Sequence, residues 1–187
     1  MSNYNELPAN LPIPVDDGQA DHLPGMSMPA VTLTSTASTS VSLIELGKGR
    51  NVIYVYPMTG KPGVPLPDGW DEIPGARGCT PESCGFRDHF KELQEAGAEN
   101  VYGLSNQDPD YQAELAGRLH LPFELLSDSS GEFGEAMNLP RFDVAGMSLY
   151  KRLTLVVRDG RVEKVFYPIF PPDKHAQEVL GWLKTVA

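Results

Sequence analysis

The chain has only two cysteines among 187 residues, no cluster of basic residues, and no apolar run longer than Val52-Ile53-Tyr54-Val55-Tyr56. Each shortage excludes a class. Two cysteines cannot staple a small secreted fold, and without paired histidines nearby they are too few for a tetrahedral structural zinc site. Fifteen Lys and Arg against 25 Asp and Glu leave a formal charge of −10, which repels phosphate backbones and anionic membrane surfaces. A five-residue apolar run falls far short of the ~20 residues that span a bilayer, and the N-terminus has neither a charged nor an apolar targeting region. The expectation is a cytoplasmic protein with no nucleic-acid or membrane partner. At 41% hydrophobic content the chain has enough apolar material to bury one core.

Proline and glycine, by contrast, are plentiful and unevenly placed. Residues 1–28 hold four prolines (Pro8, Pro12, Pro14 and Pro24) without hydrophobic periodicity and read as an extended leader; residues 29–187 read as the domain. The hydroxyl-rich stretch Thr34–Ser42 reads as a hairpin turn or loop. Between Pro57 and Gly78, ten of 22 residues are Pro or Gly, a long loop of the kind that is usually functional inside a compact domain. Around this loop the pattern is regular. Asn51–Tyr56 reads as a buried strand, and Pro81 at the first helical turn, with Thr80 as cap, opens a helix running past Phe86, Phe90 and Leu93 to Gly97. Asn100–Leu104 reads as a strand, and Asp108-Pro109 starts a helix that ends before Pro122. Ser130–Asn138 reads as a short helix. Asp159-Gly160 joins two β-rich runs as a hairpin, and Asp173 opens a closing helix. The β-α-β-α order followed by a hairpin and a helix gives an α/β, thioredoxin-like fold: a central mixed sheet flanked by helices, with a Pro/Gly-rich insertion and an extended N-terminal leader.

The two cysteines lie five apart in Cys79-Thr80-Pro81-Glu82-Ser83-Cys84. Cys79 sits at the start of the Pro-opened helix, where free amides and the macrodipole favour thiolate over thiol, so a lowered pKa is expected. Five residues along an α-helix rise about 7.5 Å, beyond the ~7 Å Cα separation a disulfide tolerates, so bonding the pair requires unwinding the first turn. Two unrelated buried thiols remain an alternative reading. Glu82 reads first as a helix-cap acid and second as a partner for Arg87 or Arg152, and Trp70 as an anchor for the long loop.

The run Gly78-Cys79-Thr80-Pro81-Glu82-Ser83-Cys84-Gly85-Phe86-Arg87-Asp88 resembles the active-site segment of peroxiredoxins, in the peroxiredoxin Q or bacterioferritin-comigratory-protein branch. Leu121–Asp128 and Arg152–Gly160 resemble two later segments of the same family, in the same order, so the likeness covers roughly residues 29–187. The resemblance implies that Cys79 is the peroxidatic cysteine, Cys84 the resolving one, Arg152 the guanidinium beside the sulfur, and Pro57 the proline that shields it. It implies a peroxidase acting on hydrogen peroxide or small organic hydroperoxides, recycled by thioredoxin, with no cofactor and no metal, as a monomer or weak homodimer. One position departs from the family. Ala76 stands where a Thr or Ser is expected three residues before Cys79, and the insertion separates Pro57 from Cys79; Thr59 is the candidate to return the missing hydroxyl. A redox-relay adaptor and a non-catalytic thioredoxin-like binding domain are the rival readings.

Overall fold

The computed structural model describes residues 3–187. Fourteen elements follow in order: β1 (Thr32–Ser35), β2 (Ser40–Ser42), β3 (Arg50–Val55), α1 (Cys79–Asp88), α2 (Phe90–Glu95), β4 (Ala98–Ser105), α3 (Pro109–Leu119), β5 (Leu125–Ser127), α4 (Glu132–Ala136), β6 (Arg141–Val144), β7 (Met147–Tyr150), β8 (Leu153–Arg158), β9 (Arg161–Phe166) and α5 (His175–Thr185). Seven strands form one sheet in the order β2-β1-β5-β4-β3-β8-β9, while β6 and β7 pair separately. Strands β3, β4 and β5 are parallel; β8 pairs antiparallel with β3, and β9 with β8. This is the mixed, thioredoxin-like sheet expected, with the Asp159-Gly160 hairpin on its edge and both turn residues at positive φ (49° and 73°). The hydroxyl-rich stretch forms the β1–β2 hairpin at the opposite edge.

Side chains along β3 alternate between two cores, as the period of a strand requires. Val52 and Tyr54 face a core built with α1, α2, α3 and α5; Ile53 and Val55 face a second core with Leu104, Leu155 and Phe133. The connections β3-α1/α2-β4 and β4-α3-β5 step in the same direction across the sheet, and successive right-handed crossovers in one direction place their helices on one face. Read from sequence alone, two βαβ crossovers predict helices on both faces of the sheet, and both faces do carry helix, but the crossover helices α1, α2 and α3 share one face with α5 while α4 lies on the other. The other face is covered by α4 and by the leader, whose Ala20, Leu23 and Met28 are buried in the second core.

Three local expectations also change. α1 opens at Cys79 with Gly78 as its cap residue at φ 109°, so Thr80 is inside the helix and caps nothing. The long helix breaks at His89 into α1 and α2. Asp173 lies in a 3-10 turn, Pro172–Lys174, and makes no cap bond to α5. Asp108, by contrast, caps α3 as expected, accepting from the Tyr111 amide at 2.8 Å. Among the described residues no helix is long and apolar enough to cross a membrane.

Candidate active site

The carboxyl end of β3 and the amino end of β8 leave the sheet side by side, because Val55 pairs with Leu153. Pro57 therefore follows one strand end and Arg152 precedes the other. The loop 57–78 then returns to deliver Gly78 and Cys79 at the same edge. Gly78 is required there by space as well as by its positive φ: a Cβ would come within 2.4 Å of Pro172 and 2.7 Å of Leu7.

Cys79 is 2% exposed. Arg152 Nη2 donates to its Sγ at 3.2 Å, and the sulfur in turn donates to the Ala76 carbonyl at 3.7 Å. The Ala76 methyl side chain offers no hydrogen bond, but its carbonyl holds both Cys79 and Arg152 Nη2, the latter at 3.1 Å. The carbonyls of Gly75 and Arg77 accept from the same nitrogen at 3.2 and 3.3 Å, and Arg152 Nη1 donates to Glu82 Oε2 in a short, fully buried ion pair. Glu82 is thus the partner of Arg152, and its reading as a helix-cap acid is corrected. A buried guanidinium needs such a shell, since its charge has lost its water.

The lowered thiol pKa expected from the helix start is not what this closed site produces. Burial pushes the Cys79 thiol up and outweighs the pull of Arg152, its strongest opponent; the Glu82 charge adds to the upward push, and the Met58 backbone N–H works against it. Burial raises Glu82 as well, against the attraction of Arg152. Position at a helix terminus was visible in sequence, whereas the depth of burial depends on the loop that closes over it.

Thr59 is buried and joins Cys79 and Thr80 in lining one small cavity of about 10 Å³. Its hydroxyl donates to Gln107 Oε1 at 3.2 Å, and its carbonyl accepts from Tyr111 OH at 3.0 Å. Pro57 is buried at the strand end. Cys84 is free, half-buried and on the same helix as Cys79. Trp70 anchors the loop, 3% exposed and 6.0 Å from the Phe142 ring, and also lines the cavity. Sequence reasoning missed Met58, Gln107 and Tyr4 at this site. Met58 was open to inference, being one residue from each of Pro57 and Thr59; Tyr4 and Gln107 are brought in from afar. Among the described residues no group of His, Cys, Asp and Glu is arranged to hold a metal ion.

The family model for redoxins matches residues 23–180. The chain belongs to the redoxin family, in its peroxiredoxin Q branch. It is 31% identical over 161 residues to the chloroplastic peroxiredoxin Q of Gentiana triflora, covering 86% of this chain and 66% of that one. It is 30% identical over 162 residues to the corresponding protein of Populus jackii, covering 87% and 68%. The chain therefore spans about two thirds of the length of these curated relatives. Among solved structures, the peroxidoxin BcpB of Mycobacterium tuberculosis superposes with a TM-score of 0.69 at 27% identity, over 89% of this chain and 99% of that one.

Proposed function

We propose that this peroxiredoxin Q relative is a thiol-dependent peroxidase that reduces hydrogen peroxide or small organic hydroperoxides. One observation carries the reading: a buried cysteine at a helix start, lining a cavity with room for about one water-sized molecule, with a guanidinium nitrogen 3.2 Å from its sulfur. In the first step the Cys79 thiolate attacks one peroxide oxygen, the O–O bond breaks, and the departing oxygen takes a proton and leaves as water or alcohol. Arg152 compensates charge on the sulfur and on the departing oxygen. The Thr59 hydroxyl, turning from Gln107, takes the hydrogen-bonding role that Ala76 lacks, and Pro57 keeps solvent from the sulfur.

In the second step Cys84 condenses with the sulfenic acid, expelling water and forming a disulfide within the chain. A dithiol protein of the thioredoxin type returns both thiols by exchange. Residues 29–187 are the unit proposed to carry this chemistry, with 1–28 as a leader upon it. All of these groups come from one chain, which supports activity as a monomer. A reducing compartment, the cytoplasm, suits the cycle, since free thiols must be regenerated.

Adding one equivalent of hydrogen peroxide to the reduced protein tests the reading. The expected result is loss of both thiols and two mass units without a dimer. Cys84 remaining free beside a lasting sulfenic acid at Cys79 would refute its resolving role, and unreacted thiols would refute the peroxidase.

A further inference from the structure

Asn3 and Tyr4 of the leader form a strap across the loop 57–78. The Tyr4 hydroxyl donates to the Val64 carbonyl at 2.5 Å, and its ring lies on Gly60, where a Cβ would come within 2.7 Å of two ring carbons. Arg77 holds the same segment from the other side. Its Nη2 donates to the Asn3 carbonyl at 3.1 Å and its guanidinium sits 6.0 Å from the Tyr4 ring centre. Tyr4 thereby becomes a wall of the cavity that contains Cys79 and Thr59, beside Leu66 and Trp70 of the loop. At about 10 Å³ this cavity has room for about one water-sized molecule.

From this enclosure we infer that Tyr4 is a specificity-determining residue: its ring restricts access to Cys79 to the smallest hydroperoxides and turns away those carrying an aromatic or branched alkyl group. The inference rests on the peroxidase reading. Hydrogen peroxide differs from water by one oxygen atom and asks little of the wall. A cumyl group requires the ring to leave Gly60, the Val64 carbonyl and the Arg77 guanidinium together. Gly60 is part of the device, because its missing side chain lets the ring lie flat on the loop backbone.

Two measurements test this. In the peroxide assay, Tyr4→Ala should raise the rate constant for cumene hydroperoxide relative to that for hydrogen peroxide by about tenfold or more, the scale on which a pocket separates substrates by size. Tyr4→Phe keeps the ring, loses only the Val64 bond, and should hold the parent ratio. In a Cys84→Ser background, where Cys79 is the sole thiol, Tyr4→Ala should likewise raise the rate of alkylation by N-ethylmaleimide relative to the smaller iodoacetamide. A parent-like ratio for folded Tyr4→Ala in either assay overturns the inference, as does a Phe variant that behaves like Ala. A parent protein that consumes no peroxide instead defeats the peroxidase reading, and the alkylation ratio still decides whether Tyr4 is the wall.

Discussion

Arg152 has one nitrogen shared among a sulfur and three carbonyls and another committed to Glu82, with the sulfur, Glu82 and Ala76 contacts buried. Two consequences follow from removing it. Arg152→Met leaves the Glu82 carboxylate buried without a countercharge, which costs on the order of 3–5 kcal/mol. It also removes the strongest downward pull on the Cys79 thiol, so the thiolate fraction at pH 7 falls and the pH midpoint of Cys79 alkylation moves further up. We expect peroxide reduction to drop by about 100-fold or more, the scale of losing one transition-state donor. Alkylation by iodoacetamide across pH in a Cys84→Ser background checks the sign, and a midpoint that stays or falls contradicts it. Arg152→Lys should recover little, because a point charge cannot serve Glu82 and the sulfur at once. Thr59→Val is a milder change: it removes a hydroxyl bonded to Gln107 and costs the fold about 1 kcal/mol. Stopped-flow rates with hydrogen peroxide should nevertheless fall by more than about tenfold if that hydroxyl meets the substrate, and an unchanged rate would leave the hydroxyl with a purely structural bond.

Among the elements, the leader is held at a second point by Asp17, which accepts from Lys151 Nζ at 2.7 Å, Tyr167 OH at 2.7 Å and the Gln19 amide at 3.1 Å. Burial pushes the Asp17 carboxyl up, but these bonds outweigh it and hold the group at about 2, below its ordinary 3.8. A carboxyl depressed by folding stabilises the folded state fully above its unfolded pKa, and that contribution is lost as pH falls from near 4 toward 2. With a third of the side chain exposed, solvent screening limits it to about 1 kcal/mol. Asp17→Asn should therefore lower the melting temperature at pH 6 by a few degrees and narrow toward the parent at pH 2, read by calorimetry across pH. The elements most legible in sequence were those whose signals are local: Asp108 accepting from Tyr111 and the Asp159-Gly160 turn were written in adjacent residues. The hairpin of β6 and β7 was not, because Ala145-Gly146 takes its positive φ without an Asn or Asp to announce it. Cys79, Cys84 and Arg152 could be singled out from the chain, but not the closure over them, which depends on Tyr4 meeting Gly60 and Trp70 meeting Phe142 across long sequence separations.

For the molecule as a whole, the question is what a Cys79–Cys84 disulfide does to stability. Both cysteines are on the continuous helix α1, where five residues rise about 7.5 Å, so bonding requires its first turns to unwind. That helix is fastened deeply. Phe86 stacks on Tyr54 with ring centres 4.4 Å apart and meets His175 at 5.7 Å, which in turn meets Phe166 at 5.4 Å, so α1, β3, α5 and β9 share one stack. Closing a loop this short constrains the unfolded chain by about 2 kcal/mol. Unwinding that extends two residues past Cys84 withdraws the fully buried Phe86 from this stack, which costs about 3–5 kcal/mol before the lost helical hydrogen bonds are counted. The second effect wins, and the oxidised protein should be less stable than the reduced one by about 1–3 kcal/mol, the reverse of the usual effect of a disulfide. Calorimetry of the two redox forms should place the oxidised melting point several degrees lower, with faster amide exchange confined to residues 79–88 and their partners in α5. An oxidised form that melts higher would mean that the disulfide closes without disturbing Phe86. Reduction would then release no stored destabilisation, and the dithiol partner would have to open a bond that the fold itself favours.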